Sequence, residues 1–313
     1  MSLSTHPRRV LATTVVGAAL ALSGCSGQSG QGGDSVTLGF VNGGDTEFHT
    51  CLQKAVEDTA KNGDAKIYTA NSHQNPGTEL SNIEDMISRN VDALIVQTVN
   101  VDALKGDIAK AKSAGIPIFL TSVVTDDPSQ ILGAVVVDLG AVGALDAGWV
   151  EKDAAGTSVE VGVIAGAPGA ASDMLVAGFT KALPATAKVV ANQPGMFNAA
   201  KAKDVAENMI QAHPHLGYAF VANEEMALAA RTAFTSAGAD VKIVTVNGTD
   251  RGLEGVEKGE LSATVANSAM STGSLAVNNA IGLLDKKKIS KIDKTPILLV
   301  AKDNLDKAPQ YCP

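Results

Sequence analysis

The stretch Val36–Asp45, which reads VTLGFVNGGD, sets the pattern for the whole chain. A short apolar run is followed by an Asn-Gly-Gly-Asp turn, and a helical stretch then extends from about Thr46 to Lys61. A run of this kind, bounded by turn residues and followed by a helix, is typical of a buried strand in an α/β protein. The same succession recurs along the rest of the chain.

The recurring units predict two sheets rather than one closed barrel. Further strands are predicted near 65–70, 93–97, 116–121, 134–137, 159–164, 188–191, 218–222, 242–246 and 263–266. Short strands that alternate with helices of 10–15 residues favour parallel sheets covered on both faces. Eight units would close a barrel, whereas ten or more suit two open sheets. We therefore predict an α/β protein with two doubly wound parallel-sheet lobes.

The first residues are typical of an export signal. The basic start Pro7-Arg8-Arg9 precedes Val10–Leu22, an uncharged run that is shorter than the ~20 residues a membrane-spanning helix needs. The run ends in Leu22-Ser23-Gly24-Cys25, which resembles the lipobox of bacterial lipoproteins, where the cysteine is acylated with palmitate. We predict a lipoprotein signal peptide over residues 1–24 and lipid attachment at Cys25, with general and twin-arginine export both open.

Export and lipid attachment at Cys25 lead us to expect a tether and a disulfide. Residues 26–35 contain only Ser, Gly, Gln and Asp, a composition that cannot offset the entropy of ordering. Residues 25–35 are therefore predicted to form a flexible tether that holds the body outside the cell membrane. Cys51 and Cys312 then lie in an oxidising compartment, which favours a disulfide between the first helix and the C-terminus. Two unpaired buried thiols are the alternative.

Charge and motifs exclude several classes of protein. The formal net charge is −8, whereas a nucleic-acid binder normally carries a basic face. The chain contains no P-loop, no Gly-x-Ser-x-Gly and no complete Gly-x-Gly-x-x-Gly. His213 and His215 flank a proline without an evident third metal ligand. We expect no nucleic acid, no metal, no cofactor and no catalysis, with an enzyme on the same fold as a minor alternative.

Polar residues follow nearly every predicted strand. Ligands of open parallel sheets bind beyond the carboxyl ends of strands, beside helix N-termini. The candidates read directly from strand ends are Asn42, Asp45, Gln97, Ser122, Asp138, Asn223, Asn247 and Asn267. Side-chain amides carry both a donor and an acceptor, which suits hydroxyl groups. Helix capping and turn formation are the structural alternative for these residues.

The body resembles the type I periplasmic sugar-binding proteins of ABC importers, the ribose- and galactose-binding group. The resemblance covers Val36 to about Lys302 and is carried by several short segments in order. These are Asn75-Pro-Gly-Thr-Glu-Leu80, Gly115-Ile-Pro117, Ile164-Ala-Gly166, Ala212-His-Pro214, Asn223-Glu-Glu-Met-Ala-Leu228, Val246-Asn-Gly-Thr249 and Ala263-Thr-Val265. The resemblance implies two lobes joined by three hinge crossings, near Val137, Asn267 and Ile297. The implied lobes are 36–137 plus 268–296 and 138–267 plus 297–313.

The resemblance also implies which residues contact the ligand. Phe48 and Phe197 match aromatic positions of the family, and Asn223, Asn247 and Asn267 match polar ones. The charged pair that follows the family's fourth strand is lost at Ser122-Val123. The arginine of the second lobe's first helix is lost near Asp173. Asp45 replaces an amide. Core packing is the alternative for the two phenylalanines.

The departures from the family predict a neutral ligand. Arginine is the usual bidentate partner of a carboxylate or phosphate, and no arginine falls at a matched position. We therefore expect a monomer that binds a small neutral sugar, polyol or sugar derivative and delivers it to an ABC transporter permease. A sensor that presents its ligand to a membrane receptor is the alternative. A cleft lined by Asp45, Glu47, Asp173 and Glu224 would instead suit a cation.

Overall fold

The computed structural model describes residues 35–313. The strands are β1 (Thr37–Asn42), β2 (Lys66–Asn71), β3 (Ala93–Val96), β4 (Ile118–Ser122), β5 (Gly133–Val136), β6 (Val159–Ala165), β7 (Ala187–Pro194), β8 (Leu216–Val221), β9 (Lys242–Asn247), β10 (Ala263–Asn267), β11 (Ile292–Lys294) and β12 (Ile297–Ala301). The helices are α1 (Glu47–Asn62), α2 (Pro76–Ser88), α3 (Leu104–Ser113), α4 (Leu139–Ala154), α5 (Ala170–Ala182), α6 (Ala199–Ala212), α7 (Glu224–Ser236), α8 (Asp250–Lys258) and α9 (Ala269–Leu284).

The strands form two six-stranded sheets, which confirms the predicted fold class. The first has the order β11-β5-β4-β3-β1-β2, and the second has the order β12-β10-β9-β8-β6-β7. All pairings are parallel except that of β12 with β10. The sequence did not predict the short strands β11 and β12, because they lie beyond the last regular strand–helix unit.

Helices cover the first sheet on both faces, because its central strands β1, β3, β4 and β5 are buried along almost their whole length. On one face, Leu38 and Phe40 of β1 pack with Leu52 of α1 and Val277 of α9. On the other face, apolar residues of α2 and α3 pack against the same strands. The first sheet and these four helices form the first lobe.

The second sheet, with α4 to α8, forms the second lobe. Here α4 packs against α5 and α6 packs against α7. A Cβ atom added at Gly143 of α4 would lie 2.2 Å from the carbonyl oxygen of Leu175, and one at Gly178 of α5 would lie 2.1 Å from that of Gly140. Only glycine allows the two helix backbones to approach so closely.

The chain passes between the lobes at several points. It leaves the first sheet after β5, returns after β10 into α9 and β11, and enters the second sheet again at β12. It then returns once more, because Tyr311 is buried against Cys51 of α1 and Ala269 of α9. The backbone nitrogen of Met270 donates to the carbonyl oxygen of Tyr311 at 2.9 Å.

A disulfide attaches this last segment to the first lobe. Cys51 and Cys312 are bonded, with 4.9 Å between their Cα atoms and a sequence separation of 261 residues. The Nζ atom of Lys54 also donates to the carbonyl oxygen of Pro313 at 2.8 Å. The C-terminus is therefore a fourth connection between the lobes.

The predictions for the N-terminal segment lie outside the described residues. These are the signal peptide over 1–24, lipid attachment at Cys25 and the tether, apart from Ser35. Within residues 35–313, no helix is both long enough and apolar enough to cross a membrane.

Candidate functional site

A cavity of about 390 Å³, the inner cavity, lies between the two lobes. Its walls come from the carboxyl ends of strands in both sheets, together with the first turn of α1. This is the position at which open parallel sheets bind ligands. The strands set its location, since the parallel strands of each sheet end at the same edge.

The inner cavity brings together most of the residues that the sequence singled out. Those that line it are Phe48, Gln97, Ser122, Phe197, Asn223, Asn247 and Asn267. The first three come from the first lobe and the others come from the second. A ligand in this space would therefore touch both lobes at once.

Two predicted residues of the first lobe do not line the inner cavity. Asn42 is buried, and its Nδ2 atom donates to the carbonyl oxygen of His49 at 2.9 Å. Asp45 is exposed and its carboxylate lies 2.7 Å from Nδ1 of His73. Asn42 therefore supports α1, whereas Asp45 is held at the surface by its contacts with His73 and Asn71.

Two predicted residues near the second lobe also lie elsewhere. Asp138 caps α4 by accepting from the backbone nitrogen of Ala141 at 3.1 Å, and it pairs with Lys294 at 3.1 Å. Asp173 is exposed in the first turn of α5. Both carboxylates are stabilised by a helix N-terminus, which is the structural alternative for such residues.

In the part of the chain that the structure describes, no residue that lines the inner cavity is Asp, Glu, Lys or Arg. Its polar side chains carry amides, hydroxyls and the imidazole of His49, and the other side chains that line it are apolar. An ionised ligand would find no opposite charge there, so the arrangement disfavours anions and cations alike. Among residues 35–313, no three His, Cys, Asp or Glu side chains converge as metal ligands do.

Sequence reasoning missed His49, which lines the inner cavity beside Phe48. Its Nε2 atom lies 3.1 Å from Oε1 of Gln97, and its Nδ1 atom lies 2.8 Å from Oγ1 of Thr46. Burial is the main cause that lowers the pKa of His49 to about 4. The imidazole is therefore neutral near pH 7. Adjacent residues at the start of a helix usually point in different directions. The sequence therefore gave no indication that His49 lines the cavity together with Phe48.

Phe197 forms a wall of the inner cavity in an unusual backbone conformation. Its φ angle is 50°, in the left-handed region that few residues other than glycine adopt. The ring lies over Gly166, where an added Cβ atom would come within 2.1 Å of Cζ of Phe197. The absence of a side chain at Gly166 therefore leaves the space that the aromatic ring fills.

Glu224 supports the second-lobe side of the cavity from beneath. This buried carboxyl accepts from the backbone nitrogens of Gly248 and Thr249, both at 2.8 Å, and from Oγ1 of Thr264 at 2.6 Å. The first two bonds hold the turn that comes after Asn247. Burial is the main cause that raises the pKa of Glu224 to about 7, while its hydrogen bonds act in the opposite direction.

A second, larger space of about 1220 Å³, the outer cleft, opens outside the inner cavity. It carries the charges that the inner cavity lacks. Its charged lining residues are Asp45, Lys201, Glu225, Arg231, Arg251, Glu254, Lys258 and Glu260. At this level the backbone nitrogen of Glu47 in the first lobe donates to Oε1 of Glu225 in the second lobe at 3.2 Å. This hydrogen bond joins the lobes across the cleft.

Comparison with known proteins gives the family. Residues 38–288 match the family model described as a periplasmic binding protein domain. The chain is 30% identical to the ribose import binding protein RbsB of Escherichia coli (strain K12), over 93% of this chain and 98% of that protein. It therefore belongs to the type I periplasmic sugar-binding proteins, as the sequence predicted. The family and this relative are solute-binding transport proteins, not enzymes.

Solved structures agree with this assignment. The periplasmic binding component of an arabinose ABC transporter from Shewanella sp. ANA-3, bound to L-arabinofuranose, superposes with a TM-score of 0.82 at 27% identity and covers 87% of this chain and 94% of that one. An ABC transporter solute-binding protein from Bacillus halodurans C-125 with bound myo-inositol gives a TM-score of 0.83 at 25% identity, over 88% of this chain and 98% of that one. The relatives thus bind both sugars and a cyclic polyol.

Proposed function

We propose that this chain is a lipid-anchored solute-binding protein that captures a small neutral sugar, polyol or sugar derivative and delivers it to an ABC transporter permease. The observation that carries the proposal is the inner cavity, which both lobes line without any charged side chain. Its volume of about 390 Å³ is at the small end of the range for ligand pockets. The expectation that the ligand is delivered to a permease comes from the similarity to binding proteins of ABC transporters.

Capture depends on the position of the cavity between the lobes. Gln97 and Ser122 on one side and Asn223, Asn247 and Asn267 on the other contact the same enclosed space. A ligand that bonds to both groups stabilises the closed arrangement, because only the contacts of one lobe are available when the lobes are apart. A micromolar affinity corresponds to about −8 kcal/mol, which is enough to shift a closure equilibrium of a few kcal/mol.

The first test is a thermal-shift screen of the protein against neutral sugars, polyols, sugar acids and amino sugars. We expect the melting temperature to rise only with neutral compounds. A shift restricted to acids or amines contradicts the proposal. For the compound that binds, Asn223→Ala and Asn247→Ala are each expected to weaken the affinity about tenfold, through the loss of one or two hydrogen bonds. Unchanged affinity in both variants would show that the ligand binds at another site.

The anchor and the delivery step need separate tests. Replacement of Cys25 by alanine is expected to release the protein from the membrane fraction and to abolish incorporation of labelled palmitate. Deletion of the protein is expected to stop uptake of its ligand by the intact cell, and continued uptake would favour the sensor role. Light scattering of the purified protein is expected to show a monomer.

A further inference from the structure

The last four residues, 310–313, form a C-terminal segment that lies on the first lobe, although the strand before it, β12, belongs to the second sheet. Oγ of Ser268 donates to the backbone oxygen of Gln310 at 2.6 Å. The bonds from Met270 of α9 and Lys54 of α1 hold the residues after it in the same way. The segment is therefore attached along its length to two helices of the first lobe.

The C-terminal segment belongs to a small apolar cluster beside Phe48. Tyr311, Cys51 and Ala269 are buried in this cluster, and Phe48 and Cys312 pack against it. Phe48 is half-buried and also lines the inner cavity. Phe48 therefore lies between the cluster and the space for the ligand.

The disulfide attaches the segment one helix turn away from Phe48. Cys51 comes three residues after Phe48 in α1, so the two lie on the same side of the helix, and Cys312 is bonded to Cys51. The hydroxyl of Tyr311 is buried and has no hydrogen-bond partner among the described residues. The side chain of Tyr311 is thus held by packing, and the disulfide keeps that packing in place.

The first turn of α1, which carries Phe48, lacks the side-chain cap that usually fixes such a turn. Thr46 is the N-cap, but its side chain makes no hydrogen bond to a backbone nitrogen of the helix. Its Oγ1 atom lies 2.8 Å from Nδ1 of His49 instead. The backbone nitrogen of Glu47 donates to Glu225 of the other lobe, so this bond is lost when the lobes part. An uncapped first turn is less stable, and the position of Phe48 therefore depends on the packing around it.

We propose that the C-terminal segment, locked by the disulfide, positions Phe48 for the ligand of the inner cavity, so that the affinity depends on the bond between Cys51 and Cys312. The inference rests on the proposed function, because it requires a ligand that touches Phe48. Tyr311 and Cys312 act as positioning residues, since neither is among the described residues that line the cavity. The segment lies beyond residues 38–288, which match the family model, so the family assignment gives it no role.

The first test observes the ring of Phe48 without any ligand. The seven phenylalanines are replaced by para-fluorophenylalanine, and the variants Phe48→Leu and Phe197→Leu identify the fluorine NMR signals of these two residues. When Cys51→Ser and Cys312→Ser are combined, we expect the signal of Phe48 to shift or broaden, while that of Phe197 in the second lobe stays in place. An unchanged signal of Phe48 overturns the inference, whatever the protein binds.

The second test measures affinity by titration calorimetry, with D-ribose and myo-inositol as probes. For a probe that binds, the double serine variant is expected to bind about fivefold more weakly. In a Phe48→Ala background the same change is expected to have no further effect, whereas in a Phe197→Ala background it is expected to keep its full size. Equal losses in the two backgrounds contradict the inference. If neither probe binds, the fluorine signals decide the inference, and the wider screen decides the proposed function.

Further variants separate positioning from a general loss of stability. Tyr311→Phe removes only the unpartnered hydroxyl and is expected to keep the affinity, whereas Tyr311→Ala removes the ring and is expected to match the loss of the double serine variant. Leu261→Ala, in the buried core of the second lobe, is expected to lower the melting temperature without changing the affinity. An affinity that falls as much in Leu261→Ala as in Tyr311→Ala would show that lost stability alone explains the effect, and the inference would be wrong.

Discussion

The inner cavity and the outer cleft share four lining residues, Thr46, Gln74, Met196 and Phe197, yet their chemistry is opposite. The cavity is lined by amides, hydroxyls and apolar groups, whereas the cleft carries acids and bases of both signs. The difference arises from where the residues stand on the fold. Strand ends present uncharged side chains inward, and the helix turns that come after them present their charges outward.

The absence of charged side chains from the described lining of the inner cavity argues against a cationic ligand. Four acids suggested one: Asp45 lines the outer cleft, Asp173 is exposed, Glu224 is buried beneath the cavity, and Glu47 does not line it. None of them reaches the inner cavity. Because the two spaces are separate, we expect a graded series of effects on stability and ligand affinity. Substitutions in the supports of the inner cavity should have the largest effects, those in its wall smaller ones, and those in the outer cleft the smallest.

The largest effect is expected at Glu224, which supports the cavity without lining it. Removal of its carboxyl in Glu224→Ala leaves the backbone nitrogens of Gly248 and Thr249 without an acceptor, and the free energy of unfolding is expected to fall by about 3 kcal/mol. Its neighbour Glu225 lines the outer cleft, and Glu225→Ala is the matched control, with a loss below about 1 kcal/mol. Urea unfolding at pH 5 measures both, and equal losses would contradict the distinction.

The second effect is a dependence of stability on pH. The pKa of Glu224 is raised to about 7, first by burial, and burial also raises the pKa of Asp146, neither of whose side-chain oxygens has a partner. Between pH 5 and 7 the unfolded chain has lost these protons while the folded protein still holds them. The free energy of unfolding therefore falls as pH rises, by about 2 kcal/mol for Glu224 alone.

Denaturant unfolding at several pH values checks this sign. Asp146→Asn cannot ionise and is expected to make the slope between pH 5 and 7 shallower, with the gain in stability largest at pH 7. Asp173→Asn is the matched control: it makes the same substitution at an exposed aspartate and is expected to leave the slope unchanged. Stability that rises with pH across this range would show that the buried acids do not dominate it.

The sequence predicted the sheets well and the direction of side chains poorly. Strand positions could be read from apolar runs between turn residues, and the amides at Asn223, Asn247 and Asn267 from the rule that parallel sheets bind ligands at strand ends. The positions of His49 in the cavity wall and of Glu224 beneath it depend on which way the first turn of each helix faces. That direction is set by the packing of α1 and α7 on their sheets. Local pattern carries no information on it.

The third effect concerns the wall between the two spaces. In Gly166→Ala the added methyl group would overlap the ring of Phe197, whose Cζ atom is only 2.1 Å from that position. The ring must move, and the affinity for the neutral ligand found by screening is expected to fall about tenfold. Gly148→Ala is the control, since a Cβ atom there meets nothing within 4 Å. Titration calorimetry compares the two, and equal affinities would show that Phe197 is not part of the site.

The smallest effect is expected at the hydrogen bond that crosses the outer cleft. The backbone nitrogen of Glu47 donates to Oε1 of Glu225 at 3.2 Å, and this contact exists only while the lobes are together. Glu225→Gln keeps an acceptor but removes the charge that favours the helix N-terminus. We expect the ligand to bind about threefold more weakly, because a partly buried charge–dipole contact of this kind contributes about 0.5–1 kcal/mol. The difference is expected to shrink in 1 M salt, where such contacts are screened, whereas the loss in Gly166→Ala is expected to persist. A salt-independent loss at Glu225 would mean that the outer cleft touches the ligand directly.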